Sequence, residues 1–239
     1  MRRLLVTAAV LALSAATAGA APEGAQHGCV KGGELRFSAA DGTKLVGHRF
    51  GSGTTAVILG HEAHSDLCRW LPYARRLASQ GYFVFPIDFR GYGSSQYRTG
   101  AAEYRLAADL AAAAKAVRKL GKKKVFLVGA SMGGLASLVA AVNVRPPVDG
   151  VVSISSPARF RGMDAVKTAP RLTVPVLYLA AEGDDFAGYD FSKDAQAMHT
   201  ATASADKEIE ILPGSQHGIV LVQGSARAKS LVEGFLKTH

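Results

Sequence analysis

A short serine-containing stretch with glycines at both ends, residues Gly129–Gly133, constrains the fold of this chain more than any other feature. A continuous apolar run of strand length, residues 124–128, precedes it, and apolar residues recur at helical spacing over residues 135–142. Ser131 therefore lies on a strand-to-helix turn, where only glycine-sized neighbours let the strand and the helix approach closely. Such a turn exposes the Ser131 hydroxyl group beside the free amides of the helix start.

Residues 1–20 are typical of a secretory signal peptide. Arg2 and Arg3 precede an uncharged apolar run over residues 4–18, and the Ala-Gly-Ala sequence at 18–20 is a small-residue cleavage pattern. An uncleaved membrane anchor is the alternative interpretation, because the uncharged run continues as far as Pro22. We expect cleavage after residue 20, no stable membrane insertion after cleavage, and a secreted or cell-envelope location.

The rest of the chain has the length of one domain. Of 239 residues, 48% are apolar, which is enough to fill the core of one α/β domain. We assign residues 21–32 to an N-terminal arm and residues 33–239 to this single domain.

The charge balance is basic without a basic patch. Without Arg2 and Arg3, 26 basic side chains remain against 19 acidic ones, a net charge of +7. The densest basic run is Lys122–Lys124, at a predicted helix-to-strand turn where a solvated surface explains it. Nucleic-acid binding requires a clustered basic face, so we predict no nucleic-acid partner.

The two cysteines, Cys29 and Cys68, both belong to the exported part of the chain. A cysteine pair in an oxidising compartment favours a disulfide, which would tie the N-terminal arm to the first helical region. Two buried thiols are the alternative. No histidine stands at ligand spacing from either cysteine, so we predict no metal site.

Continuous apolar runs alternate with helical stretches along the chain. This alternation predicts an α/β fold, in which a mainly parallel sheet is covered by helices on both faces. The predicted strands are residues 34–38, 44–50, 55–59, 82–87, 124–128, 148–154, 175–180 and 208–212. Besides the helix after Ser131, the predicted helices are residues 70–79, 102–120, 192–203 and 220–237.

Arranged in this order, the chain resembles the α/β-hydrolase family over essentially all of its mature length. The resemblance rests on the turn at His61, on the Asp-Phe-Arg-Gly-Tyr-Gly-Ser stretch at 88–94, on the Gly129–Gly133 turn, and on a late aspartate followed by a histidine. The turn at His61 and the stretch at 88–94 are similar to those of a group of small exported bacterial hydrolases. Many relatives insert a lid domain where this chain has only residues 155–173, so we expect a minimal cap or none, and an open site.

The resemblance implies a catalytic triad in the chain order serine, acid, histidine. With Ser131 as nucleophile, His217 is the base, in the loop between the last predicted strand and the final helix. The acid should follow the strand at 175–180, where Asp184 takes the family's position. Asp185 is the alternative acid.

The oxyanion hole should combine two backbone amides. One is that of Met132, the residue after the nucleophile, and the other comes from the turn after the third strand. The family commonly has His-Gly at that turn, whereas this chain has His61 followed by Glu62. Ala63 is therefore the expected second donor and Glu62 the alternative. The Glu62 carboxylate should lie either at the edge of the site or in solvent.

Four other residues receive structural interpretations. Asp88 and Arg90 follow a strand, as catalytic residues often do, but the resemblance implies that they brace the turn at 91–94. Trp70 and Tyr73, at the start of a helix, are expected in the core rather than against a substrate.

The predicted function is that of a secreted serine hydrolase. The residues favour a carboxylesterase that acts on small or exposed esters through an acyl-enzyme on Ser131, with a small-molecule ester as its partner and no cofactor. Amides, thioesters and lactones remain open as substrates. The alternatives are an acyltransferase that uses the same triad and a non-catalytic secreted binding protein on the same scaffold.

Overall fold

The structure is a computed structural model that describes residues 28–100 and 104–239. The predicted signal peptide and residues 21–27 of the predicted arm lie outside the described residues. Within the described ranges, no helix combines the length and the apolar character needed to cross a membrane.

Eight strands of the described part lie where the apolar runs predict them, with ends that differ by a few residues, and four two-residue strands there were not predicted. In chain order, the strands are β1 (Glu34–Ser38), β2 (Lys44–His48), β3 (Thr55–Gly60), β4 (Phe83–Asp88), β5 (Lys124–Ala130), β6 (Gly150–Ile154), β7 (Arg159–Phe160), β8 (Met163–Asp164), β9 (Val176–Ala181), β10 (Asp185–Phe186), β11 (Tyr189–Asp190) and β12 (Lys207–Leu212). The strands that were not predicted are β7, β8, β10 and β11.

The central sheet, within residues 28–100 and 104–239, has eight strands in the order β1-β2-β4-β3-β5-β6-β9-β12. The pairs β1-β2 and β2-β4 are antiparallel, and every other neighbouring pair is parallel. The carboxyl ends of β3, β5, β6, β9 and β12 therefore share one edge of the sheet. This arrangement confirms the predicted mainly parallel α/β fold.

Helices cover both faces of the sheet. They are α1 (Leu71–Ser79), which follows a 3₁₀ turn at Leu67–Trp70, α2 (Leu106–Lys119), α3 (Met132–Ala141), α4 (Ala165–Thr168), α5 (Phe191–Ala201), α6 (Gly218–Gly224) and α7 (Ala226–Thr238). Helices α2, α3 and α5 pack on one face, and α1, α6 and α7 pack on the other. The inner strands β3, β4, β5, β6 and β9 are buried almost throughout, which explains why they are apolar runs rather than alternating patterns, whereas the edge strands β1 and β12 are partly exposed.

Two predicted helices have different bounds in the structure. Helix α2 begins at Leu106 rather than near residue 102, because Tyr104 lies beside the Arg161 guanidinium and Leu106 is the first buried residue of the helix. The predicted helix 220–237 is two helices. Ser225 is extended and its hydroxyl oxygen accepts a hydrogen bond from the Ala228 N–H, 3.1 Å, so it ends α6 and caps α7.

The segment between β6 and β9 carries no large cap. The described residues 155–173 form the β7–β8 hairpin, α4 and a 3₁₀ turn at Ala169–Arg171. The expectation of a minimal cap or none is therefore confirmed for these residues.

Arg90 has a structural role, as predicted, but the ion pairs of its side chain are with elements other than the turn at 91–94. Its fully buried guanidinium lies 2.6 Å from an Asp109 carboxylate oxygen and 2.8 Å from one of Asp41. Burial raises the pKa of Asp41, but hydrogen bonds from Thr43 and Arg90 outweigh this effect and hold the pKa well below its usual range. Arg90 thus ties the turn between β1 and β2 to helix α2.

Asp88 likewise braces loops. Its buried carboxylate accepts hydrogen bonds from the Leu67 N–H, 3.0 Å, and from the Ser94 N–H, 2.8 Å. Trp70 and Tyr73 are both buried in the core between α1 and the sheet, as predicted.

Cys29 and Cys68 form the predicted disulfide. The bond joins the described end of the N-terminal arm to the 3₁₀ turn before α1. A cross-link across 39 residues stabilises the fold by about 3 to 4 kcal/mol in the chain-entropy description.

Helix α3 lies unusually close to two strand ends. A Cβ atom on Gly133 would overlap the backbone carbonyl of Gly60, at the end of β3, and one on Gly129 would overlap the carbonyl of Gly133. Both positions therefore require glycine for reasons of space, and the turn at Ser131 lies between them.

Replacing Gly133 by alanine should lower the free energy of unfolding by about 1 to 3 kcal/mol, because the added methyl group has only backbone to displace. Gly234→Ala is the matched control, since Gly234 lies inside α7 with no atom within 4 Å of its would-be Cβ. The control should raise stability by about 0.5 to 1 kcal/mol through helix propensity. Urea unfolding followed by circular dichroism measures the free energy of unfolding of both variants. An equal change in the two variants would contradict the close approach of α3 to β3.

Candidate active site

The sequence-predicted serine, acid and base all lie along the carboxyl edge of the parallel sheet. Ser131 directly follows β5, Asp184 follows β9, and His217 lies in the loop between β12 and α6. In the sheet β6 separates β5 from β9, and β12 is the next strand after β9. The topology thus brings to one edge three residues that are far apart in the chain.

Ser131 has a left-handed backbone conformation, with φ 51° and ψ −120°. A non-glycine residue in this region carries about 1 to 3 kcal/mol of strain, which the surrounding structure has to hold. The Ser131 N–H donates to the Ile154 carbonyl of β6, 2.8 Å, and the Ser131 carbonyl accepts from the N–H groups of Gly134 and Leu135 at 3.0 and 3.1 Å. These bonds keep the residue at the start of α3 with its side chain partly exposed.

Asp184 and His217 form a direct hydrogen bond. The His217 Nδ1 atom lies 2.9 and 3.1 Å from the two carboxylate oxygens of Asp184, which is only 1% exposed. A carboxylate can only accept, so Nδ1 carries the proton and donates it to the hydrogen bond. The second ring nitrogen, Nε2, is then the basic one.

The loops that carry Asp184 and His217 are tied together by their backbones. The Glu182 N–H donates to the Leu212 carbonyl, 2.9 Å, and the Gly183 N–H donates to the Gly214 carbonyl, 2.8 Å. Both bonds continue the parallel β9–β12 ladder past the ends of the strands. They fix the approach of the carboxylate to the imidazole.

The other acidic residues of this loop do not contact the histidine. Asp185 is exposed and pairs with Asp190 in the β10–β11 hairpin, and Glu182 is exposed as well. Of the two candidate acids, only Asp184 is therefore within hydrogen-bond distance of His217.

The histidine loop also packs against the end of β5. Gly218, with φ +53°, is so close to that strand that a Cβ on it would lie 3.4 Å from the Cβ of Ala130. Ala130 directly precedes Ser131, and Gly218 directly follows His217. This contact therefore joins the His217 loop to the residue before Ser131.

The turn after β3 is braced by His61, which is fully buried. Its Nε2 accepts a hydrogen bond from the Phe89 N–H, 3.1 Å, so its Nδ1 carries a proton and donates to the Glu62 carbonyl, 2.8 Å. Since a trans peptide directs its N–H opposite to its C=O, the Ala63 N–H points away from His61. Met132, in turn, is the first residue of α3, and its N–H has no acceptor within the helix.

Glu62 faces the histidine loop instead of solvent. One of its carboxylate oxygens accepts a hydrogen bond from the Ile219 N–H, 3.3 Å, two residues after His217. The other lies 3.6 Å from the Arg69 guanidinium. The glutamate that departs from the family's His-Gly pattern thus links the turn after β3 to the start of α6, a role that the sequence does not reveal.

A polar cleft of about 530 Å³ opens beside the turn after β3. Its walls are mostly polar or charged side chains, namely Glu62, His64, Ser65, Asp66 and Arg69, together with Ala63 and Gly93. The cleft adjoins the predicted oxyanion donor Ala63.

Two phenylalanines beside His217 were missed by the sequence reasoning. The ring centroids of Phe186 and Phe191 lie 4.6 and 4.4 Å from that of the imidazole. A usable signal was present, because Ala187 and Gly188 form a two-residue turn between aromatic residues just after the candidate acids.

The sequence matches the family model of the alpha/beta hydrolase fold over residues 56–196, more than half of the chain. The protein therefore belongs to the α/β-hydrolase family. No curated protein matches its sequence significantly.

Several solved structures share the fold. An esterase from Pyrococcus furiosus superposes with a TM-score of 0.73 at 20% identity, covering 86% of this chain and 91% of that one. An enol-lactonase from Burkholderia xenovorans LB400 has a TM-score of 0.70 at 17% identity, covering 84% and 99%. A thermophilic esterase from Thermogutta terrifontis has a TM-score of 0.69 at 18% identity, covering 86% and 98%. At these identities the similarity is one of fold.

Replacing Glu62 by alanine should lower the free energy of unfolding by about 1 kcal/mol, because the Ile219 N–H loses its acceptor. Glu62→Gln keeps an acceptor oxygen, and Arg69→Ala removes only the exposed ion pair. Each of these two should therefore cost less than about 0.5 kcal/mol. Urea unfolding measures the energies, and hydrogen exchange should be faster at the Ile219 amide in Glu62→Ala alone. Equal loss in Glu62→Gln would contradict the hydrogen-bond role.

Proposed function

We propose that this protein is a serine hydrolase, specifically a carboxylesterase that forms an acyl-enzyme on Ser131. The observation that carries the proposal is the hydrogen bond between buried Asp184 and His217, on the same edge of the sheet as a serine held in a strained turn at the end of β5. A strained serine and a buried carboxylate both reduce stability, and catalysis is the function that uses them together.

In the acylation step, His217 Nε2 takes the proton of the Ser131 hydroxyl group while Oγ attacks the ester carbonyl carbon. Asp184 keeps the imidazole in the required tautomer and stabilises the imidazolium that forms. The backbone N–H groups of Met132 and Ala63 donate to the oxyanion of the tetrahedral intermediate. When the carbon–oxygen bond of the ester breaks, His217 returns its proton to the leaving alcohol.

In the deacylation step, water replaces the alcohol. His217 takes a proton from the water as its oxygen attacks the acyl carbon, and Ser131 recovers that proton when the acid leaves. The sum of the two steps is ester plus water giving acid plus alcohol, with no redox change and no need for a cofactor.

The substrate proposed is a small or solvent-exposed ester. The described residues 155–173 form no large cap, and the cleft beside Ala63 is polar, so the site offers little apolar cover for a long acyl chain. The names of the similar structures, two esterases and an enol-lactonase, agree with hydrolysis at a carboxyl ester.

An extracytoplasmic location is part of the proposal. The disulfide between Cys29 and Cys68 is of the kind that persists in oxidising compartments. The signal-peptide pattern of residues 1–20 supports the same location.

Treatment of the mature protein with a fluorophosphonate should add one adduct, on Ser131, because the probe reacts only with an activated serine. Intact-mass analysis measures the adduct, and peptide mapping assigns its position. Ser131→Ala should give no adduct and should lower kcat for an activated ester by about a million-fold. An unlabelled but folded wild-type protein would favour the binding-protein alternative.

The two neighbouring acids allow a matched comparison. Asp184→Asn should lower kcat by about 10³- to 10⁴-fold, because an amide no longer holds the reactive tautomer of His217. Asp185→Asn, an equal change in the exposed neighbour, should stay within about twofold of the wild type. Steady-state kinetics on p-nitrophenyl acetate measures both variants. The reverse order would move the acid to Asp185.

A further inference from the structure

An aromatic hairpin stands immediately after the acid of the proposed triad. Strands β10 and β11 pair with Phe186 directly opposite Tyr189, and the turn between them has φ 53° at Ala187 and φ 82° at Gly188. The Phe191 N–H donates to the Asp184 carbonyl, 3.0 Å, which anchors the base of the hairpin at the acid. The hairpin is thereby held in a fixed position relative to the proposed catalytic groups.

Phe186, Phe191 and His217 form a cluster in which each ring contacts the other two. Phe186 stands edge-on to the imidazole at an interplanar angle of 82°, and its centroid lies 5.1 Å from that of Phe191. These spacings are those of favourable aromatic pairs. The cluster therefore fixes the position of the Phe186 ring relative to the imidazole.

The two phenylalanines differ in exposure. Phe191 is 2% exposed and supplies the packing beneath His217, whereas Phe186 is 51% exposed. Half of a large apolar ring thus remains in water at the open edge of the sheet, where it gains little from folding. An apolar group of a ligand that covered this ring would gain the free energy of removing it from water.

The reaction geometry determines which part of an ester lies near this ring. The leaving alcohol takes its proton from His217, so its oxygen is within hydrogen-bond distance of the imidazole. The carbon atoms attached to that oxygen are then close to the imidazole as well. The Phe186 centroid is 4.6 Å from the centre of the imidazole, so this ring lies beside the group that protonates the alcohol in the proposed reaction.

We infer that Phe186 is a specificity-determining residue that binds the alcohol portion of the substrate and favours esters of apolar, especially aromatic, alcohols. The inference rests on the proposed serine-hydrolase function and adds the substrate class to it. Phe186 binds the leaving group only, so it acts before the alcohol departs and has no part in deacylation.

The test compares two acetates whose alcohols are of similar acidity, benzyl acetate and 2-methoxyethyl acetate, which give the same acetyl-enzyme. The wild type should favour benzyl acetate. Phe186→Ala should lower kcat/KM for benzyl acetate by about three- to tenfold and leave 2-methoxyethyl acetate within about twofold. The deacylation rate, measured after a burst with p-nitrophenyl acetate, should not change.

Two further variants serve as controls. Phe186→Leu retains apolar area and should keep part of the preference for benzyl acetate. Leu120→Ala removes an exposed apolar side chain at the end of α2, on the opposite edge of the sheet, and should not alter either substrate.

An equal loss on both acetates with slower deacylation would overturn the inference, because Phe186 would then only position His217. Unchanged kinetics in Phe186→Ala would also overturn the inference. So would a wild type that reacts with the fluorophosphonate but shows no preference for benzyl acetate. Fluorophosphonate labelling of each variant separates these results from failure of the proposed function. If the proposed function were wrong, the wild type itself would form no adduct and would hydrolyse neither ester.

Discussion

The close approach of α3 to the ends of β3 and β5 is the constraint on which the rest of the site depends. Backbone meets backbone there, since Gly133 lies against the Gly60 carbonyl and Gly129 against the Gly133 carbonyl. The chain has no room for a relaxed connection between β5 and α3, and Ser131 takes the left-handed conformation as a result. The same contact sets the first amides of α3 beside the turn after β3. The proposed nucleophile and the proposed oxyanion donors thus depend on one packing constraint.

Hydrogen bonds between loops hold the opposite side of the site in place. Asp184 orients His217, and the backbones of their loops continue the β9–β12 ladder. Glu62 connects the turn after β3 to Ile219. A glycine at position 62 would have no side chain to make this bond. Glu62, which departs from the family pattern, therefore anchors this turn to the histidine loop, while the hydrogen bond from His61 to the Glu62 carbonyl directs the Ala63 N–H away from His61.

These rigid groups border an open edge. The described segment between β6 and β9 is short, and the exposed Phe186 ring of the hairpin after Asp184 lies 4.6 Å from the imidazole of His217. The proposed chemistry needs precise placement of the triad but little enclosure, because a small ester exposes its carbonyl carbon to the nucleophile. Specificity in such a site falls to the few side chains at its rim, and Phe186 is the large apolar one among them. The disulfide stabilises the segment before α1 on the other side of the rim.

Local patterns in the sequence predicted the eight strands of the central sheet and the helix after the Ser131 turn, because these depend on periodicity and turn residues within short stretches, and the cysteine pair favoured the disulfide. The resemblance placed Asp184 in the position of the acid and left Asp185 as the alternative, and only the tertiary structure decided which of them contacts His217, since that contact joins residues 33 positions apart. The break at Ser225, the orientation of Glu62 and the exposure of Phe186 were also decided by the tertiary structure. Each depends on which side chains from distant parts of the chain meet, and a linear pattern does not contain that information.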